Sequence, residues 1–174
     1  MKQGPLPKSV DARKACIKAL ELSGSIKASA LSRLASVVSC EDTTISASLR
    51  FLRDEQRRFV VSTQVAGKVE VRCERCLEFM PLEVEAQSSL MLCSSDEWAQ
   101  QCPSHYEPLV YTGEELDLYE VIEEELLLAL PVAPMHDSQC VEAVPEAVTE
   151  LRVEDRKPSP FAVLANLTND SKES

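Results

Sequence analysis

The amino-acid sequence predicts an α+β protein with a single domain, in which an antiparallel sheet of about four or more strands is flanked by helices. Three observations support this. Apolar residues recur with a helical period near the start, with a period of two between residues 43 and 92, and with a helical period again at 117–130. The chain has 174 residues, enough for one buried core but short for two. We expect one domain over residues 1–167 and a flexible tail at 168–174.

Two short helices are predicted before the sheet. Asp11 is a suitable N-cap for an amphipathic helix over residues 12–22, and the following Ser-Gly-Ser at 23–25 predicts a break. A second helix is expected at 29–38. Both are expected to cover the edge of the core.

Three or four strands are expected within residues 43–92, with Gly67 at a bulge or bend. Residues 73–76, Cys-Glu-Arg-Cys, lie between two strand-like stretches, which predicts a hairpin that carries a Cys-x-x-Cys motif. Residues 93–113 are expected to form a long loop with a helical turn at about 96–101. Asp117 then caps a strong helix at 117–130, which Pro131 ends, and a short apolar helix is expected at 160–167.

The net charge of −11 is concentrated in one segment. Residues 107–155 contain one basic and 14 acidic side chains, whereas residues 1–106 contain 14 basic and 13 acidic ones. Such a segment repels RNA and attracts basic proteins. The start of the chain does not resemble a signal peptide, and no run of about 20 apolar residues is present, so a cytoplasmic protein is expected.

The pair Cys73 and Cys76 has the spacing of half a tetrahedral zinc site. His136 and Cys140 follow the acidic helix and offer an imidazole and a thiol, so the four residues could form a closed structural zinc site. Reduced thiols with no metal remain the alternative. A redox motif is disfavoured, because such motifs open a helix in a thioredoxin-like fold.

The other candidate residues have simpler interpretations. Burial is expected for Cys16, Cys40, Cys93 and Cys102, and a loop position for His105. The glutamates at 123–125 are predicted to spread around the helix, with two of them facing solvent, rather than to form a catalytic carboxylate pair. A basic surface is expected on the sheet and hairpin, and it comprises Arg50, Arg53, Arg57, Arg58, Lys68, Arg72 and Arg75.

Three stretches resemble the YceD family, the large ribosomal RNA subunit accumulation proteins. They are VRCERCL at 71–77, EEELLLALPVAPMHD at 123–137 and KPSPFAVL at 157–164. The resemblance implies a bacterial protein, with relatives in plastids, that is linked to synthesis, processing or stability of 23S rRNA and so to large-subunit biogenesis. It implies no enzymatic activity, and it places the paired cysteines of the family at Cys73 and Cys76.

Three hypotheses follow for the function. A basic ribosomal protein could bind the helix face around Glu120, Glu123 and Glu124, which best reconciles an rRNA role with an acidic chain. Alternatively, Arg72 and Arg75 could contact precursor rRNA directly. The third possibility is a zinc-containing RNA-processing enzyme or its accessory subunit, for which the sequence shows no carboxylate cluster. No membrane and no small-molecule substrate are expected.

Overall fold

The structure is a computed structural model that describes residues 4–39, 43–113 and 115–141. The strands are β1 (Gly4–Pro5), β2 (Ser9–Val10), β3 (Glu21–Lys27), β4 (Thr44–Arg53), β5 (Phe59–Arg72), β6 (Phe79–Cys93), β7 (Glu107–Val110) and β8 (Leu116–Asp117). The helices are α1 (Ala12–Ile17), α2 (Leu34–Val37), α3 (Asp96–Gln100) and α4 (Leu118–Ala129), with a 3₁₀ turn at Ala28–Ala30. The predicted α+β class is confirmed.

All these elements lie in one compact unit, Met1–Cys140. The predicted helix at 160–167, the domain end at 167 and the tail at 168–174 fall outside the described residues, so they stay predictions. Within the described ranges, none of the helices has the length and hydrophobicity needed to cross a membrane.

Six strands form the main sheet, in the order β1-β3-β4-β5-β6-β7, and β2 pairs with β8 separately. The four central strands are antiparallel, as predicted, whereas β1 and β7 join the two edges in parallel. The longest ladder joins β5 to β6, from Val60 opposite Met91 to Arg72 opposite Phe79. The turn of this hairpin carries the Cys-x-x-Cys motif at one end of the sheet.

Helix α4 packs on the inner face of the β5–β6 hairpin. Asp117 is its N-cap, as predicted, and its side chain accepts hydrogen bonds from the amides of Tyr119 and Glu120. The buried side chains of the helix are Leu118, Val121, Ile122, Glu123, Glu125 and Leu126. The apolar members of this set follow the helical period, so one apolar stripe faces the sheet.

The predicted N-terminal helices are wrong in length. Helix α1 ends at Ile17 rather than at residue 22, because Ala19 takes a left-handed φ of 49° and the chain reverses into β3. The predicted break at 23–25 therefore lies inside a strand, where Gly24 pairs with Ala47. The second predicted helix is reduced to α2, which is preceded by the 3₁₀ turn.

Two predictions for the middle of the chain also need correction. Gly67 is not a bulge but a regular ladder residue opposite Ile45 and Val84. A Cβ at this position would overlap Cδ1 of Ile45, so a larger residue would require the end of that side chain to shift. In the predicted loop at 93–113 the helical turn is present as α3, but residues 107–110 form the edge strand β7.

Candidate functional site

The turn between β5 and β6 positions Cys73 and Cys76. The amide of Cys73 donates to the carbonyl of Glu78 at 2.9 Å, and the amide of Leu77 donates to the carbonyl of Cys73 at 2.9 Å. Leu77 has a left-handed φ of 65°, which tightens the turn. Cys73 is fully buried and Cys76 is half-buried, so both thiols are held by the hairpin.

The segment after α4 brings His136 and Cys140 to the same turn. Leu130 ends the helix and Pro131 follows it, so the chain leaves the sheet in an extended loop. The amide of Glu74 donates to the carbonyl of Pro134 at 2.8 Å, which fastens this loop to the hairpin.

The four predicted ligands meet in one cluster. One ligand atom from each of Cys73, Cys76, His136 and Cys140 lies within 4.8 Å of the others. The Cys73 and Cys140 sulfurs are 3.8 Å apart, and the Cys76 sulfur is 3.4 Å from Nδ1 of His136. A tetrahedral zinc site with bonds of about 2.3 Å has sulfur–sulfur edges of about 3.8 Å. The donor set and its spacing therefore fit zinc.

Polar groups around the cluster favour thiolates. Burial alone would raise the pKa of the Cys73 thiol, but three amides and the His136 ring hydrogen-bond its sulfur and lower the pKa to about 5. The amides belong to Arg75, Cys76 and His136. The same ring has a raised pKa because the sulfurs of Cys73 and Cys140 lie beside it. The hydrogen bond from the Glu78 amide lowers the pKa of Cys76, but burial and the neighbouring sulfurs of Cys140 and Cys73 outweigh it, so this pKa is raised instead. Negative charge is therefore favoured at Cys73 and Cys140, beside the position that a cation would take.

Arg75 is part of this site, which the sequence analysis missed. Its Nε lies 3.0 Å from the Cys140 sulfur, and its terminal nitrogen Nη2 donates to the carbonyls of His136, at 2.9 Å, and Ser138. Burial raises the pKa of Cys140, but hydrogen bonds from this guanidinium, from Cys76 and from His136 together bring that pKa below its ordinary value. The guanidinium of Arg75 therefore contacts the ligand loop, and its predicted role in RNA binding stays a prediction.

Arg72 has a comparable local contact. Its Nε donates to the carbonyl of Leu77 at 2.9 Å, across the same turn. The side chain is nevertheless exposed, so its predicted role in RNA binding stays a prediction.

Of the three glutamates predicted to bind a partner, only Glu120 and Glu124 are exposed. Glu123 is buried, with 6% of its surface exposed, and its carboxylate accepts hydrogen bonds from the amides of Arg33 and Leu34 at 2.7 and 3.2 Å. The Arg33 guanidinium also bridges Glu123 and Glu124, at 3.0 and 2.7 Å. Glu123 therefore joins α4 to the start of α2 and is not a surface residue.

Glu125 is also buried, which contradicts the prediction that two of the three consecutive glutamates face solvent. It accepts a hydrogen bond from the Ser88 hydroxyl at 2.8 Å, and that hydroxyl lies 2.8 Å from the Thr63 hydroxyl. Burial raises the pKa of Glu125. For Glu123, burial raises the pKa, but the hydrogen bonds from Arg33 and Leu34 lower it more, so the net direction is down.

The remaining candidates agree largely with the sequence analysis. Cys16 and Cys93 are buried, Cys102 is half-buried, and Cys40 lies outside the described residues. His105 is an exposed loop residue whose ring lies against Tyr106, with centroids 4.2 Å apart.

Together, the fold and the cluster define an α+β protein with a closed Cys₃His centre on a long hairpin. The model of the family described as "Large ribosomal RNA subunit accumulation protein YceD" matches residues 61–168. A protein of that name from Haemophilus influenzae (strain ATCC 51907 / DSM 11121 / KW20 / Rd) is 34% identical over 171 residues, which cover 96% of this chain and 98% of that protein. The chain belongs to the YceD family.

No solved structure matches the chain significantly. The motif at 157–164 that contributed to the resemblance lies within the matched range but outside the described residues.

The first prediction concerns the metal. We expect the purified protein to bind one Zn²⁺ through three sulfurs and one nitrogen, with Zn–S bonds of about 2.3 Å in its X-ray absorption spectrum. Cys140→Ser should remove one sulfur from that shell. Arg75→Gln should keep the shell but weaken zinc binding by roughly 10–100-fold, because Arg75 supports a ligand without being one.

Cys102→Ser is the matched control, since Cys102 is half-buried and outside the cluster. A shell dominated by oxygen, or equal loss of zinc from the control variant, would contradict the assignment.

The second prediction concerns the two buried glutamates. The pKa of Glu123 lies below its ordinary value of 4.5, so its contribution to stability is complete above that value and is lost as pH falls through the lowered pKa. The pKa of Glu125 is raised, so its contribution is complete below the ordinary value and is lost as pH rises through the raised pKa.

At about pH 7, Glu123→Gln should lower the free energy of unfolding by about 1–3 kcal/mol. The reason is that the amides of Arg33 and Leu34, which now donate to a carboxylate, would donate to a weaker acceptor. Glu125→Gln should leave the free energy of unfolding unchanged or raise it, since a neutral amide can still accept from Ser88. Urea unfolding of both variants measures this difference. An equal loss of unfolding free energy in the two variants would show the prediction to be wrong.

Proposed function

We propose that the protein is a non-enzymatic factor that supports accumulation of 23S rRNA, and so biogenesis of the large ribosomal subunit, in the bacterial cytoplasm. Membership of the YceD family carries this proposal. The Haemophilus influenzae relative, whose length this chain spans almost completely, is named for large ribosomal RNA subunit accumulation. The factor acts by binding a basic ribosomal protein or precursor rRNA.

The ligand set supports a structural role for the metal. Four protein ligands complete a tetrahedral zinc shell, whereas a catalytic zinc keeps one position for water or substrate. The buried carboxylates Glu123 and Glu125 are each engaged by other protein groups. An RNA-processing enzyme is therefore the weaker alternative, and the zinc centre would serve to hold the ligand loop on the hairpin.

Two surface features support a protein partner. Glu120 and Glu124 remain exposed on α4; Glu124 pairs with Arg33, and Glu120 offers negative charge to a basic protein. Large apolar side chains are also exposed on the two segments that carry the ligands, and these are Leu77, Phe79, Val132 and Met135. Exposed apolar side chains of this size are typical of interaction surfaces.

Depletion of the protein from its own cells should lower the amount of 23S rRNA relative to 16S rRNA, and re-expression of the natural chain should restore it. Glu120→Lys should restore the ratio poorly, because a reversed charge repels a basic partner. Glu124 is left unchanged because it pairs with Arg33. The matched control is Glu83→Lys, an exposed position on β6.

A normal ratio after depletion would contradict the proposed function. New RNA ends after incubation of purified protein with precursor rRNA and Mg²⁺ would instead favour the enzyme.

A further inference from the structure

A second site lies at the opposite end of the β5–β6 hairpin from the cysteine cluster. There, the start of β5, the end of β6, α1 and α3 line an open cavity of about 500 Å³. This volume is within the usual range for small ligands. The lining residues that matter for its chemistry are Arg13, Arg58, Phe59, Met91, Trp98 and Tyr111.

The apolar part of the cavity is built from aromatic rings. Trp98, on α3, is the single tryptophan of the sequence, and 61% of its surface is exposed. Phe59 is half-buried, with the Arg53 guanidinium 5.0 Å from its ring centroid, and Met91 is buried. An indole that is left this exposed beside a cavity is a platform on which a flat ring can stack.

The charged part of the lining consists of two arginines. Arg58 is held in place by Asp54, through a 2.6 Å contact of its Nε and a 2.8 Å contact of its amide. Its guanidinium also lies 5.3 Å from the ring centroid of Tyr106. Arg13 lies on the exposed side of α1. Because Asp54 uses only the Nε of Arg58, the fork-shaped group is oriented before any ligand arrives.

The aromatic and the charged parts of the lining together indicate which kind of ligand fits the cavity. The indole favours a flat ring. The guanidinium of Arg13, and the nitrogens of Arg58 that do not contact Asp54, favour a negative group. A nucleotide combines both. A basic ribosomal protein would be repelled by arginines in the lining. Bases in an RNA duplex are stacked and cannot reach such a cavity, whereas an unpaired base can.

We propose that this cavity binds one unpaired nucleotide of single-stranded RNA, with the base on Trp98 and the phosphate near Arg13 and Arg58. The proposal deepens the proposed function and rests on it, since it names RNA as a ligand. It locates RNA contact away from Arg72 and Arg75. Because the whole chain is acidic, binding should be modest and should weaken strongly with salt.

The test is a titration of the purified full-length protein with a short single-stranded RNA of mixed sequence, followed by tryptophan fluorescence. Trp98 is the sole tryptophan, so its quenching reports on this cavity alone. We expect saturable quenching. Arg13→Gln should weaken binding and reduce the slope of affinity against salt by about one, as expected for one lost phosphate contact.

Trp98→Leu is examined by the fluorescence anisotropy of labelled RNA, and roughly tenfold weaker binding is expected from the loss of one stacked base. Lys68→Gln is the matched control, because this exposed cation lies on β5 outside the cavity, and its affinity should equal that of the natural protein. Circular dichroism of each variant verifies its fold.

The proposal is overturned by an absence of binding, by binding without quenching, or by equal affinity in Arg13→Gln and Lys68→Gln. It is also overturned if a nucleoside monophosphate binds as tightly as the RNA, since the ligand would then be a free nucleotide. If purified protein fails to bind RNA while depleted cells still lose 23S rRNA, the cavity assignment fails and the proposed function stands.

Discussion

The arrangement of the cysteine cluster depends on the packing of α4 against the inner face of the β5–β6 hairpin. Leu118, Ile122 and Leu126 are fully buried in that interface, and each such side chain contributes about 1.5–3 kcal/mol. The helix ends near the turn of the hairpin, so the loop that follows can deliver His136 and Cys140 to the two cysteines. A metal held by both segments would close the same interface at its end.

The glutamates of α4 have different roles. Glu123 joins α4 to α2, Glu125 is buried against Ser88, and only Glu120 and Glu124 of this set reach the surface. A count of charges therefore overstates how much of the helix is available to a basic partner. At the other end of the hairpin the lining of the cavity carries arginines, which would separate the proposed surface for a protein partner from the proposed cavity for RNA.

Local patterns in the sequence were sufficient for the hairpin, the N-cap at Asp117 and all four members of the cluster, because spacing and period determine these features. Features that depend on distant residues were not predicted. Glu123 looked exposed because its partner Arg33 lies 90 residues away. The contact of Arg75 with the cluster was missed because nothing local shows that its guanidinium turns to Cys140. The edge strands and the cavity are formed by segments that lie far apart in the chain, and no sequence motif connects these segments.

The central claim is that the protein itself contacts RNA of the large subunit. Ultraviolet crosslinking in living cells, purification under denaturing conditions and sequencing of attached RNA test this directly. The account predicts reads concentrated in unpaired regions of precursor 23S rRNA. Reads at the level of cells that were not irradiated, with 23S rRNA still dependent on the protein, would contradict it and show that the protein acts through a protein partner.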